Sequence, residues 1–178
     1  MDASLYQPKP KMFQPQMPVP TVSHTTHQMT NYYGQSYIAY CTEEETMFPD
    51  GRLITSRTDL DGIITHVNDA FVMMSGWERD ELLGAAHSIL RHPDMPAIAF
   101  KGLWDDLAEG KKWHGYVKNL RKDGGFYWVY ATVIPNIRHG KVVGYTSVRR
   151  KPPRSQVEAC TKLYAELLEQ ERQAKAQG

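Results

Sequence analysis

From Arg52 onward, apolar and polar residues alternate in short regular blocks. Leu53–Thr58 reads as a strand, Asp61-Gly62 as a turn and Ile63–Val67 as the paired strand. Asn68-Asp69 opens a short helix over Ala70–Ser75 that Gly76 closes, and Trp77–Leu83 is a second short helix stopped by Gly84. Ala85–Leu90 leaves room for about one turn. Pro96 then starts a longer helix whose apolar stripe is Ile98, Phe100, Leu103, Trp104 and Leu107, ended by Gly110. Three strands follow: Trp113–Leu120, Phe126–Ile137 and Lys141–Arg149, joined at Asp123-Gly124 and His139-Gly140. Pro152-Pro153 stops the sheet, and Ser155–Gln173 is an amphipathic helix with Val157, Cys160, Leu163, Tyr164, Leu167 and Leu168 on one side. Strand, strand, short helices, one longer helix and three strands predict an α+β fold. Its core is a five-stranded antiparallel sheet with helices on one face and a ligand-sized pocket between the layers.

The first fifty residues break this pattern. Met1–Pro20 holds Pro8, Pro10, Pro15, Pro18 and Pro20 among Gln, Lys and Met, so it reads as disordered or extended. Thr21–Tyr40 is polar and tyrosine-rich and reads as packing loosely on the domain or on a second copy. The expected organisation is therefore an N-terminal segment at 1–50, a folded domain at 51–151 and a C-terminal amphipathic helix at 152–178.

Composition narrows the function classes. A hydrophobic content of 41% and a charged content of 23% are globular values, and the net charge is +1. That balance carries no electrostatic footprint for nucleic acid or an anionic membrane. No apolar run reaches membrane-spanning length, and the start lacks a signal-peptide core, so a cytoplasmic location is expected. The two cysteines, Cys41 and Cys160, fit no zinc spacing and no disulfide framework. No nucleophile–base arrangement, phosphate loop or metal-ligand set marks an enzyme.

The stretch hardest to explain as packing is Arg91-His92-Pro93-Asp94-Met95-Pro96. Two prolines stiffen three polar side chains just ahead of the longer helix. It reads equally as a helix start, with Asp94 near the positive end of the dipole, and as a polar binding site.

Thr65-His66-Val67-Asn68-Asp69-Ala70-Phe71, Ser75-Gly76-Trp77 and Glu81-Leu82-Leu83-Gly84 resemble the PAS-domain series. So do Asn119, Arg121-Lys122-Asp123-Gly124 and Trp128 through Pro135. Leu90 through Pro96 is similar to the signature of the PAS domain of bacterial aerotaxis receptors and related flavin-binding redox sensors. The resemblance covers about residues 52–165. It implies a domain that binds FAD non-covalently and reports redox state. Carried over by position, it implicates Asn68, Arg91, His92, Asp94, Trp104 and Asn119 in flavin binding, with His87 and Trp113 as further candidates and Thr146 facing the central ring. The chemistry suits: Arg91 can make paired hydrogen bonds to oxygen acceptors, Asp94 can orient Arg91 or His92, and Asn119 can both give and accept at a pyrimidine edge. A tryptophan can stack on an aromatic ring. Each position also has a structural reading: Asn68 as a helix cap, Trp104 as core and Trp113 as sheet packing.

Receptors of that family continue into a membrane anchor and a signalling coiled coil, and neither is legible in these 178 residues. The expected output is contact with a signalling protein or a dimer mate, through the C-terminal helix or the sheet face. Two other readings stay open. One is a haem-binding PAS sensor with His87 or His92 as axial ligand, and the other is a cofactor-free PAS interaction module. A blue-light photosensor is disfavoured, because that chemistry needs a cysteine beside the flavin ring.

Overall fold

The computed structural model describes residues 14–178. The expectation for Met1–Phe13 lies outside the described residues. The elements are β1 (Thr25–Thr30), β2 (Ser36–Cys41), β3 (Ile54–Asp59), β4 (Ile64–Val67), α1 (Asp69–Ser75) and α2 (Arg79–Leu82). One turn of 3₁₀ helix at His87–Leu90 precedes α3 (Ile98–Ala108), β5 (Trp113–Leu120), β6 (Phe126–Arg138), β7 (Lys141–Arg150) and α4 (Arg154–Ala176). The main sheet has five antiparallel strands in the order β4-β3-β7-β6-β5. This is the α+β architecture expected from the alternation.

Local chemistry explains the element boundaries. Asn68 caps α1, its Oδ1 accepting from Phe71 N at 3.1 Å, and Gly76 ends the helix at φ 74°. A reciprocal capping box between Glu78 and Glu81 starts α2. Between β3 and β7 the chains approach so closely that a Cβ on Gly144 would meet Thr58 O at 2.3 Å. The core lies between the sheet and the short helices, where Ile54, Ile64, Phe71, Met74, Trp77, Leu82, Leu90, Tyr127 and Val129 are buried together.

The sheet's other face is partly covered by α4. Val157 and Cys160 bury against Trp128, the Tyr164 ring stacks near Trp128 at 6.1 Å, and Tyr164 Oη donates to Tyr116 O at 2.7 Å. The apolar stripe of this helix thus docks on its own domain, leaving Leu163 exposed.

Within the N-terminal segment, where Thr21–Tyr40 read as packing loosely on the domain or on a second copy, residues 25–41 form a hairpin: β1 and β2 pair antiparallel from Thr25↔Cys41 to Thr30↔Ser36. Asn31 shapes the turn, its Oδ1 accepting from both Tyr33 N and Gln35 N at 3.0 Å. The hairpin is fastened to the domain by Ala39 and Cys41, which pack on Leu120, and by Tyr33 Oη, which donates to Asp61 O at 2.5 Å. In β1 the alternation is hidden because Thr25, Thr26, His27, Gln28 and Thr30 put polar side chains on both faces. In β2 the inward Tyr37, Ala39 and Cys41 alternate with Ile38 and Tyr40, so no polar face marks the strand.

Candidate functional site

Between sheet, helical layer and hairpin lies a cavity of about 430 Å³, within the range of small-molecule sites. Its floor is the inward face of β3, β5, β6 and β7, with Ser56, Thr58, Val117, Asn119, Ala131, Val133, Tyr145, Ser147 and Arg149. Its roof is His87, Ser88, Leu90 and Arg91 together with Phe100, Leu103, Trp104 and Leu107 of α3. Met29, Thr30, Asn31, Tyr32 and Tyr37 of the hairpin close one side. At the mouth, the exposed rings of Tyr32 and Trp104 face each other at 6.3 Å and 29°. Trp113 forms another wall, its indole folded across Gly115, where a Cβ would meet the ring at 2.3 Å.

Period-two alternation on the strands decides which polar side chains reach the cavity. Asn119 is 5% exposed and lies beside the buried Tyr127 phenol, and its Nδ2 has no well-formed hydrogen bond among the described residues. An antiparallel bridge between Asn119 and Arg91 sets these two residues side by side. Arg91 donates from Nη2 to Met95 O at 3.1 Å and lies 4.7 Å from the Phe100 ring centroid, with its Nε unpartnered. Ser88 Oγ and Arg149 Nη1 are also buried without a partner among the described residues. The walls are otherwise mainly apolar or aromatic, so a few donors converge on an apolar slot.

His87 is held in one state. Its Nε2 lies 2.6 Å from Arg149 Nη2, and its ring meets Phe71 edge-on. Burial, and then the Arg149 charge, push its pKa down to about 3, so at neutral pH the ring is uncharged and Nε2 accepts. Burial also pushes the Tyr127 phenol up to about 12, with Arg149 the largest opposing influence.

Of the residues put forward from sequence, the structure brings His87, Arg91, Trp104, Trp113 and Asn119 together around the cavity. Asn68, His92, Asp94 and Thr146 lie outside its lining. Asn68 is occupied in tying strand to helix: its Oδ1 also accepts from Thr55 N, and its Nδ2 donates to Leu53 O at 2.9 Å. His92 is turned away from Arg91, because consecutive side chains in extended backbone point to opposite sides. Its Nδ1 accepts from Asp94 N at 3.0 Å and its ring meets Phe126 edge-on. Asp94 pairs with Lys118 at 2.8 Å, and the Lys118 ammonium sits 4.2 Å from the Phe126 ring centroid. Lys118 lies between the inward-facing Val117 and Asn119 and carries its ammonium to the other side of β5, so His92 and Asp94 stand behind the cavity wall. Thr146 faces the opposite side of the sheet, where its Oγ1 donates to Asn136 Oδ1 at 2.7 Å.

Sequence reading missed Arg149, Tyr145 and the hairpin tyrosines. The signal for Arg149 was available: it shares the inward register of β7 with Tyr145 and Ser147. Neither cysteine lines the cavity; Cys41 ends β2 and packs with Ala39 on Leu120, and Cys160 is a residue of α4 buried against Trp128. Among the described residues no cluster of three or more His, Cys, Asp or Glu could hold a metal ion. Nor is any helix among them long and apolar enough to cross a membrane.

Comparison with known proteins agrees with this geometry. The sequence profile of the PAS fold matches residues 64–149. The aerotaxis receptor of Escherichia coli (strain K12) is 44% identical over 128 residues, 72% of this chain and 25% of the receptor. Biofilm dispersion protein BdlA of Pseudomonas aeruginosa is 33% identical over 95 residues, 50% of this chain and 22% of that protein. The chain thus spans about a quarter of the length of these relatives. A light-oxygen-voltage domain, solved in connection with a flavin analogue, superposes with a TM-score of 0.57 at 23% identity. That match covers 62% of this chain and 85% of the other, and it shows the shared fold.

Proposed function

Residues 64–149 are a PAS domain of the aerotaxis-receptor type, and from that premise we propose that the cavity binds a flavin, FAD, and that the domain is a redox sensor rather than an enzyme. The observation that carries this reading is the set of buried donors without partners: Asn119 Nδ2, Arg149 Nη1, Arg91 Nε and Ser88 Oγ. Leaving such groups unpaired costs about 1–3 kcal/mol each. A flat, apolar ring system edged with carbonyl and nitrogen acceptors would satisfy them, and flavin has that form. The light-oxygen-voltage domain of the same fold, solved in connection with a flavin analogue, supports the reading.

When bound, the flavin supplies reversible electron uptake. This chain's residues orient the ring, keep it dry and read its state. Asn119 and Arg91 hold the acceptor edge from neighbouring backbones. Leu90, Val117, Leu103 and Leu107 wall the slot against water. Tyr32 and Trp104 flank the mouth through which the nucleotide tail of a dinucleotide would extend. The flanking segments carry the output, the hairpin from the cavity wall and α4 from the far face of the sheet, to a dimer mate or a signalling protein in the cytoplasm.

Haem has less support. His87 lines the cavity, but its Nε2 is taken by Arg149. His92 lies behind the wall.

The test is reconstitution. Apoprotein should take up FAD stoichiometrically and turn yellow, and Asn119→Ala and Arg91→Ala should each lower the affinity at least tenfold. A protein that stays colourless with excess FAD is a cofactor-free module, and one that shows a Soret band binds haem.

A further inference from the structure

Arg149 is 3% exposed and lines the cavity. None of the ion pairs among the described residues includes it. Its Nη2 is used twice, donating to Ser56 Oγ at 3.0 Å and to His87 Nε2 at 2.6 Å. One face of the guanidinium lies 5.1 Å from the Phe71 ring centroid. Nη1 has no partner. The neighbours with proton chemistry do not neutralise it: His87 is uncharged, and the Tyr127 phenol stays protonated at neutral pH. Burial lowers the pKa of Arg149 itself to about 10, which still leaves it a cation. A full positive charge therefore sits in the domain interior, held in a fixed geometry, with no counter-charge among the described residues. An arrangement of that kind costs several kcal/mol unless something answers the charge.

We propose that Arg149 is the group that answers charge on the bound ring, its free Nη1 donating to an acceptor that becomes negative on reduction and so favouring the reduced cofactor. This rests on the flavin reading above. Two-electron reduction of oxidised flavin by an external reductant adds two electrons and one proton, the proton going to N5. The product carries one negative charge, delocalised over the N1 and C2-carbonyl edge. Placed near that charge in a low-dielectric slot, an uncompensated guanidinium stabilises the reduced form more than the neutral oxidised form. Neutral His87 and Ser56 fix the guanidinium by accepting from Nη2, which leaves Nη1 for the ligand. Arg149 thereby acts as a potential-setting residue and not only as a strut between β7 and β3.

The test is the midpoint potential of bound flavin, followed by anaerobic dithionite titration against a reference dye, in wild type, Arg149→Gln and Arg149→Lys. Arg149→Gln keeps a donor toward Ser56 and His87 but removes the charge. It should weaken binding of reduced relative to oxidised flavin at least tenfold, a fall of about 30 mV for the two-electron couple. Arg149→Lys keeps the charge, and its ratio should stay within about threefold of wild type. An Arg149→Gln protein with the wild-type potential overturns the inference while leaving the flavin reading intact. If Arg149→Gln does not fold, the lysine variant decides: a tenfold or larger fall in its ratio shows that charge is not what matters. A wild-type protein that takes up no flavin removes both readings together.

Discussion

The carboxylate of Glu171 accepts the backbone N–H of Ile98 at 3.0 Å, so the far end of α4 is fastened to the first turn of α3. This contact joins the helix on the outer face of the sheet to the helix that roofs the cavity. Glu171 also acts electrostatically on Arg91, three residues before Asp94. A change at the cavity roof thus has a direct route to the last turns of α4. Glu171→Ala should release those turns. The bond is worth about 0.5–1.5 kcal/mol, so amide exchange at Ile98 and across the end of α4 should rise about two- to tenfold. Hydrogen exchange by mass spectrometry reads this, and unchanged protection would mean that the contact is not formed in solution.

Asn68 supports the structure around the site without lining it. Its three side-chain bonds link β3 to the start of α1. Asn68→Ala should destabilise the domain by about 2–3 kcal/mol, measured by urea unfolding. Asn68→Asp keeps the two acceptor bonds and should recover part of the loss. Flavin affinity measured well below the unfolding transition should change little in either variant. A large loss of affinity in a fully folded Asn68→Ala protein would instead put Asn68 in the binding site.

Acid should weaken the fold through the histidines. Packing holds His87 neutral down to about pH 3, and burial together with Lys118 lowers His92 in the same direction. In the unfolded chain each takes a proton near pH 6.5. Between those limits the unfolded chain binds more protons, so the stabilisation is complete above pH 6.5 and is lost as pH falls. The slope is up to about 1.4 kcal/mol per pH unit per histidine. His92→Asn, whose side-chain oxygen can accept from Asp94 N in place of Nδ1, should flatten the curve by one proton. Chemical denaturation at a series of pH values checks this, and an unchanged slope in the variant would contradict it.

Asn119→Asp is a sharper probe of the cavity than truncation. It replaces the unpartnered donor by a second acceptor of nearly the same shape. Affinity for FAD should fall about ten- to hundredfold, matching the about 1–3 kcal/mol of one buried mismatched polar group. Quenching of FAD fluorescence during titration of apoprotein measures it. Equal affinities in the two proteins would move the ring's polar edge away from β5.

Blue light should leave no cysteine adduct. Both cysteines lie outside the cavity lining, and burial holds the Cys41 thiol up at about 12. Illumination of the flavin-loaded protein should therefore produce no slowly recovering bleached species that Cys41→Ala or Cys160→Ala abolishes. Loss of such a species in either variant would place that sulfur at the ring.

Much of the fold was legible because alternation and capping residues agree with each other. Asn68 and Gly76 bracket α1, and Asp123-Gly124 turns β5 into β6, as their types demand. The hairpin at 25–41 was not legible, since its inward residues Met29, Tyr37, Ala39 and Cys41 stand among polar or equally apolar neighbours, and the residues that fasten it, Leu120 and Asp61, lie far along the chain. The site was legible in part. Arg91 and Asn119 stood out as polar residues in apolar surroundings, but spacing could not show that Arg91 faces the cavity while His92, one residue on, faces away. Arg149 was overlooked because arginine near a strand end usually reads as surface, although its alternation with Tyr145 and Ser147 puts it on the inward face of β7.

The most direct test of the central claim is the visible spectrum of freshly purified protein, recorded before and after anaerobic dithionite. The account predicts flavin bands that bleach on reduction and return in air, with FAD alone released on denaturation. A preparation that shows no flavin bands, and gains none after incubation with FAD, would contradict it.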